Sequence, residues 1–96
     1  MSASTDIHRS LDALWRIESP RLIATLARMT GDVSLAEELA HDAMVTALEQ
    51  WPTTGIPEQP GAWLMTTAKR RAIDQLRRKS LHLRKEGDLT REIEGQ

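Results

Sequence analysis

Residues 34–51 read SLAEELAHDAMVTALEQW, and the spacing inside this stretch decides the fold class. Ala36, Leu39, Ala40, Ala43, Met44, Ala47, Leu48 and Trp51 recur at steps of three and four. On a helix of about 3.6 residues per turn such steps draw one continuous apolar stripe, which has to be buried. Ser34 and Glu37 fit a capping box, the hydroxyl accepting from the Glu37 amide and the carboxylate from the Ser34 amide. The spacing therefore predicts a helix that opens at Ser34. Glu37, Glu38, His41, Asp42 and Glu49 fall away from the stripe, so the outer side is acidic and suits water or a basic partner.

Upstream, Leu11, Leu14, Trp15, Leu22, Leu26 and Met29 give helical spacing over residues 6–29. Pro20, preceded by Glu18 and Ser19, removes a backbone donor and clashes with the turn before it, which predicts a kink or two shorter helices meeting there. Gly31 supplies a stop. Downstream, Pro52, Gly55, Pro57, Pro60 and Gly61 punctuate residues 52–61 and predict a long loop, stiffened because proline has few unfolded conformations to lose. Pro60 suits the first turn of a third helix reaching about Lys79. Trp63, Leu64, Ala68, Ala72 and Leu76 form its apolar side, flanked by Met65 and Ile73. Past Ser80 the periodicity fades. The expected architecture is all-α, a compact bundle of three to four helices over residues 1–80, with residues 81–96 a linker, frayed or disordered.

The 96 residues suffice for one small domain, and with no cysteine it has neither a disulfide framework nor a cysteine zinc site. The longest uncharged run, residues 59–68, falls far short of the roughly 18 apolar residues that span a bilayer. Residues 1–9 carry Asp6 and His8 and lack the apolar run of a signal peptide, so no membrane association and a cytoplasmic location are expected. A catalytic reading finds no thiol nucleophile and no serine with a histidine in useful context. Glu38 and His41 make one Glu-x-x-His step, whereas a di-iron bundle needs a second copy and further glutamates. Gly55 and Gly61 fit no phosphate-cradling fingerprint. The expectation is a protein that is not an enzyme, without metal or cofactor.

The net charge of −1 conceals an asymmetry. Within residues 69–85, Lys69, Arg70, Arg71, Arg77, Arg78, Lys79, Arg84 and Lys85 stand against Asp74 alone. Cations at helical steps neutralise phosphates and give affinity that falls with salt, but they carry no sequence information. The loop before them is placed to read sequence: Thr53, Thr54, Glu58 and Gln59 present hydrogen-bonding groups, and Gly55 with Ile56 shapes a pocket for an extruded base. A helix-turn-helix joins its helices by three or four residues, so a ten-residue loop argues against it. The competing reading is a helical protein-interaction module that binds no nucleic acid.

The stretches RLIATLARMTGD (residues 21–32), AEELAHDAMVTALEQWP (residues 36–52) and PGAWLMTTAKRRAIDQLRR (residues 60–78) together resemble region 2 of bacterial RNA polymerase sigma factors of the extracytoplasmic-function (ECF) class. The wording is also similar to the subgroup with a large helical C-terminal extension. The resemblance implies a domain that binds core RNA polymerase and helps open the promoter −10 element. It places the β′ clamp coiled coil on the helix bearing Glu38, His41 and Asp42, with Glu37 and Glu49 as acidic neighbours. It places the extruded non-template base at the loop from Thr53 to Gln59, and −10 DNA on Lys69, Arg70, Arg71, Asp74, Arg77 and Arg78. Trp63, Leu64, Ala68 and Leu76 match packing positions. His41 stands where the family commonly has glutamine, altering a clamp hydrogen bond, and Met44 where an aromatic is common. Trp63 is the one aromatic the third helix offers, which favours capture of a base in a pocket over extensive stacking. The helix-turn-helix domain that reads the −35 element is absent, so the chain is expected to be a fragment, with control by an anti-sigma protein or a C-terminal extension left open.

Overall fold

In a computed structural model, which describes the backbone of residues 3–94 and the side chains of residues 6–83, three helices account for nearly the whole chain. They are α1 (Ala3–Thr30), α2 (Val33–Thr54) and α3 (Pro60–Glu94), and each packs on the other two. No strand occurs among the described residues. The all-α bundle expected from the sequence is the fold observed.

The α2 stripe is the centre of the core. Ala36, Leu39, Ala40, Ala43, Ala47 and Trp51 are buried, and Met44 and Leu48 pack at its edge. Four alanines on one face let the neighbouring helices approach closely, and the larger side chains come from those neighbours: Ile7, Leu11, Leu22 and Leu26 of α1, and Leu64 of α3 with Ala68 and Ala72. Leu76 departs from expectation. It is 36% exposed, at the edge of a groove that it lines with Thr30 and Leu35, and Leu81 and Leu83 further along are more exposed still.

Pro20 does not divide α1, which runs through it as a single helix. Leu11 and Leu22 are both buried and lie about three turns apart, so the apolar face keeps its register across the proline, and burial on both sides outweighs one missing hydrogen bond. Gly31 ends the helix as expected, with φ +69° and its amide donating to the Ala27 carbonyl at 2.8 Å.

The cap of α2 lies two residues before Ser34. Asp32 is extended at φ −145°, and its Oδ1 accepts from the Leu35 amide at 3.1 Å. Aspartate caps as well as serine, and after a helix that stops at Gly31 it is the first residue able to do so. Thr30 braces the turn, its hydroxyl donating to the Leu26 carbonyl at 2.9 Å and accepting from the Asp32 amide at 3.2 Å.

The connection between α2 and α3 is shorter than the composition suggests. Pro52 sits inside the last turn of α2, which ends at Thr54, so the loop is residues 55–59. The loop-length argument against a helix-turn-helix is correspondingly weaker. Gly55, at φ +87° and ψ +163°, caps α2, its amide donating to the Trp51 carbonyl at 2.8 Å. That combination of angles is open essentially to glycine alone. Pro60 opens α3 as expected. Glu18 of α1 lies against this end: a Cβ on Gly61 would stand 2.9 Å from the Glu18 Cδ, so a larger residue there would push the carboxyl group aside. A carboxylate beside the first turn of a helix also offsets its positive end. Far from stopping at Lys79, α3 continues to Glu94, and residues 95 and 96 of the predicted linker lie outside the described residues.

Candidate nucleic-acid and polymerase interface

The predicted DNA-contacting residues fall into two adjoining groups. Thr53 and Thr54 belong to the last turn of α2, while Gly55, Ile56, Glu58 and Gln59 form the loop, and all six are exposed. Thr54 is already engaged, its hydroxyl lying within hydrogen-bonding distance of the Gln50 and Gly55 carbonyls at 3.1 and 3.2 Å. Ile56 is 44% exposed, an apolar group presented to solvent on a loop held at both ends. The first end is the Gly55 cap. The second is the Gln59 carbonyl, which accepts from the Trp63 amide at 3.0 Å.

Trp63 in turn rests on Trp51. Their rings meet edge to face with centroids 5.2 Å apart and planes at 65°, the arrangement the aromatic quadrupole favours. Trp51 is buried with its Nε1 lacking an acceptor, while Trp63 remains half exposed. The base of the loop is therefore rigid and aromatic.

From there the cations of α3 follow the seam with α2. A groove of about 300 Å³ at the loop end is lined by Thr46 and Gln50 of α2 and by Trp63, Thr67, Arg70 and Arg71 of α3. A second, of about 240 Å³, lies between Leu39 and Asp42 on one side and Arg71, Asp74, Gln75 and Arg78 on the other. A third, of about 390 Å³, continues past Leu35 with Arg78, Lys79 and His82 on its rim. Successive grooves share Arg71, then Gln75 and Arg78, so these arginines line one continuous track. Lys69, Arg70, Arg77 and Arg78 are exposed.

Arg71 differs from the others. It reaches across the seam, donating to the Thr46 hydroxyl, and its Nη1 stands 3.8 Å from the Asp42 carboxylate. Thr46 donates in turn to the Asp42 backbone carbonyl at 2.9 Å. Asp42 is thereby separated from the acidic face to which the sequence assigned it, since Glu37, Glu38 and Glu49 are exposed while Asp42 is half-buried against α3. His41 is exposed but held, its Nδ1 2.8 Å from the Glu37 carbonyl oxygen and its ring 5.2 Å from Trp15, tilted by 48°. Acidic and cationic surfaces thus adjoin along the α2–α3 seam.

Sequence reasoning missed Thr46, Gln50 and Thr67 as walls of the track, and Trp15 as the support of His41. A signal for two of them was present: Asp42, Thr46 and Gln50 lie four apart, a polar line down one flank of the apolar stripe.

Among the described residues no three His, Cys, Asp or Glu side chains group closely enough to hold a metal ion, and no helix is long and apolar enough to cross a membrane.

Three helices with an aromatic-based loop, a cationic third helix and an acidic second one define an all-α domain that presents oppositely charged faces. The family model for Sigma-70 region 2 matches residues 14–82, and the chain belongs to that family, a non-enzymatic domain of transcription initiation factors. The chain is also similar to an uncharacterised protein of Rhizobium meliloti (strain 1021), 39% identical over 61 residues. That alignment covers 64% of this chain and 14% of the relative, so the chain spans only a small part of that protein's length. No solved structure gives a significant match.

Proposed function

We propose that this chain is the region 2 domain of an ECF-class sigma factor, which docks on the β′ clamp coiled coil of core RNA polymerase through α2 and holds the opened −10 element through the loop and α3. The observation that carries the reading is the continuous track from the loop base along the α2–α3 seam, with Arg70, Arg71, Arg78 and Lys79 at successive points. A cationic groove that follows a backbone, combined with an aromatic at its head, is how single strands are gripped without a stack of paired bases. A base leaving the duplex costs a few kcal/mol to extrude, so a loop that receives it selects DNA that is already opening.

Glu37, Glu38 and Glu49 remain exposed for a basic partner, with His41 between them. Thr53, Thr54, Gly55, Ile56, Glu58 and Gln59 supply the base-reading surface, and Lys69, Arg70, Arg71, Arg77 and Arg78 the phosphate contacts, with Asp74 among them as a local repulsive charge. The location that follows is cytoplasmic, where the polymerase works.

The test is retention of core RNA polymerase by the immobilised chain, compared with a triple Glu37→Gln, Glu38→Gln, Glu49→Gln variant. Retention by the native chain and its loss in the variant supports the reading. Failure of the native chain to retain polymerase contradicts it.

A further inference from the structure

We propose that the cleft between α1 and α3 is a second base-reading site, in which Glu18 and Arg21 select an unpaired guanine. The inference rests on α3 carrying an opened strand.

The cleft holds about 270 Å³ beside the first turn of α3, with Glu18 and Arg21 of α1 on one wall and Gly61, Ala62, Met65 and Thr66 of α3 on the other. Ligand clefts begin at about 300 Å³, so this one is small and suits a single ring system. It is separate from the groove at the loop base, which Trp63, Thr67, Arg70 and Arg71 line against α2. Between the two runs an exposed ridge of α3, with Ala62, Thr66, Lys69 and Arg70 at helical steps. A strand whose phosphates rest on Lys69 and Arg70 therefore has a groove on either flank.

The chemistry of the α1 wall is specific. The side chains of Glu18 and Arg21 make no hydrogen bond or ion pair among the described residues. Glu18 is half-buried, and the missing side chain of Gly61 makes room for its carboxyl group: a Cβ there would stand 3.0 Å from Oε1 and 3.3 Å from Oε2. Both oxygens thus lie against the start of α3 as a pair of acceptors without a donor. Arg21, one turn further along α1, is exposed and offers donors only.

Guanine is the base that answers both groups. Its N1–H and N2 amino group lie side by side on the Watson–Crick edge and donate to the two oxygens of one carboxylate, while its O6 and N7 accept from a guanidinium. Adenine puts an amino group where the guanidinium needs O6, and cytosine and thymine set an acceptor beside the donor they offer. The Watson–Crick edge is free only when the base is unpaired, so the cleft reads opened DNA. Met65, half-buried in the same cleft, supplies a polarizable contact for the ring.

The experiment measures anisotropy of labelled oligo(dT), with and without one central dG, on the 96-residue chain at fixed salt. The readout is the ratio of the two affinities, from which the phosphate contacts cancel. The native chain should prefer the dG strand by about fivefold, the lower end of what a bidentate base contact supplies. Central deoxyinosine, which lacks the N2 amino group, should lose most of that gain, and this arm needs no variant. Glu18→Gln turns one acceptor into a donor and should abolish the preference; Gly61→Ala should reduce it by pushing the carboxyl group aside, with circular dichroism confirming intact helices. Equal affinity of the native chain for both strands, or a preference that survives Glu18→Gln, would overturn the guanine site and leave the strand on α3. Competition by free dGMP as strong as by the dG strand would show a nucleotide site and overturn the reading of a strand. If neither oligonucleotide binds, the DNA assignment of α3 falls, and the guanine site with it.

Discussion

Arg70 is the cation whose removal reports most cleanly on the DNA face. It is exposed, its side chain makes no hydrogen bond or ion pair among the described residues, and it lines the groove nearest the loop, so Arg70→Gln takes away a phosphate contact and no side-chain contact within the described fold. Each phosphate neutralised on a single strand adds about 0.7 to the slope of log affinity against log salt. The native chain should therefore bind single-stranded DNA about fivefold more tightly than Arg70→Gln at about 0.1 M salt, the advantage fading toward about 1 M. Between about 50 and about 200 mM salt the ratio of the two affinities should fall by about 2.6-fold. Fluorescence anisotropy across a salt series measures both slopes. Identical slopes, or a constant ratio of affinities across salt, would refute the placement of phosphate on this face.

Three further outcomes follow from the fold that presents this face. Leu39→Ala deletes a side chain only 2% exposed and should cost about 2 to 5 kcal/mol in urea unfolding; a loss well below that would mean that α2 is rotated from its observed phase. Asp32→Ala should cost about 1 kcal/mol by removing the cap of α2, while Ser34→Ala, an exposed residue inside the first turn, should be nearly neutral; thermal melts showing the reverse order would restore the capping box at Ser34. Gly55→Ala forces a side chain into a glycine-only conformation and should cost about 1 to 3 kcal/mol while weakening single-strand binding through the displaced loop; unchanged stability and affinity would show that the loop does not depend on its glycine hinge.

The parts of the molecule legible in the sequence were those governed by local periodicity. The α2 stripe, the Gly31 stop and the Pro60 start all follow from local sequence, and each stands where the sequence put it. Pro20 and Pro52 misled in the same direction and for the same reason. Burial of Leu22 and Leu26 beyond Pro20, and of Trp51 just before Pro52, holds the chain helical where the isolated residue would break it. Leu76 reads as core because its spacing is correct, but periodicity does not say how closely the neighbouring helices cover a position, and Leu76 lines an open groove with Leu35.

The site was legible as two charged faces and not as their relation. Nothing in the spacing of Arg70, Arg71 and Arg78 distinguishes a free guanidinium from one tied to another helix, because that depends on how α2 and α3 lie against each other. Arg71 and Asp42, assigned from the sequence to different surfaces, meet across the seam.

The most direct test of the account exposes a randomised single-stranded DNA pool to core RNA polymerase with and without this chain, and sequences the retained strands. The account predicts a short shared motif that appears only when the chain is present and fades when residues 55–59 are replaced by a flexible linker. Retained pools of the same composition with and without the chain would contradict it.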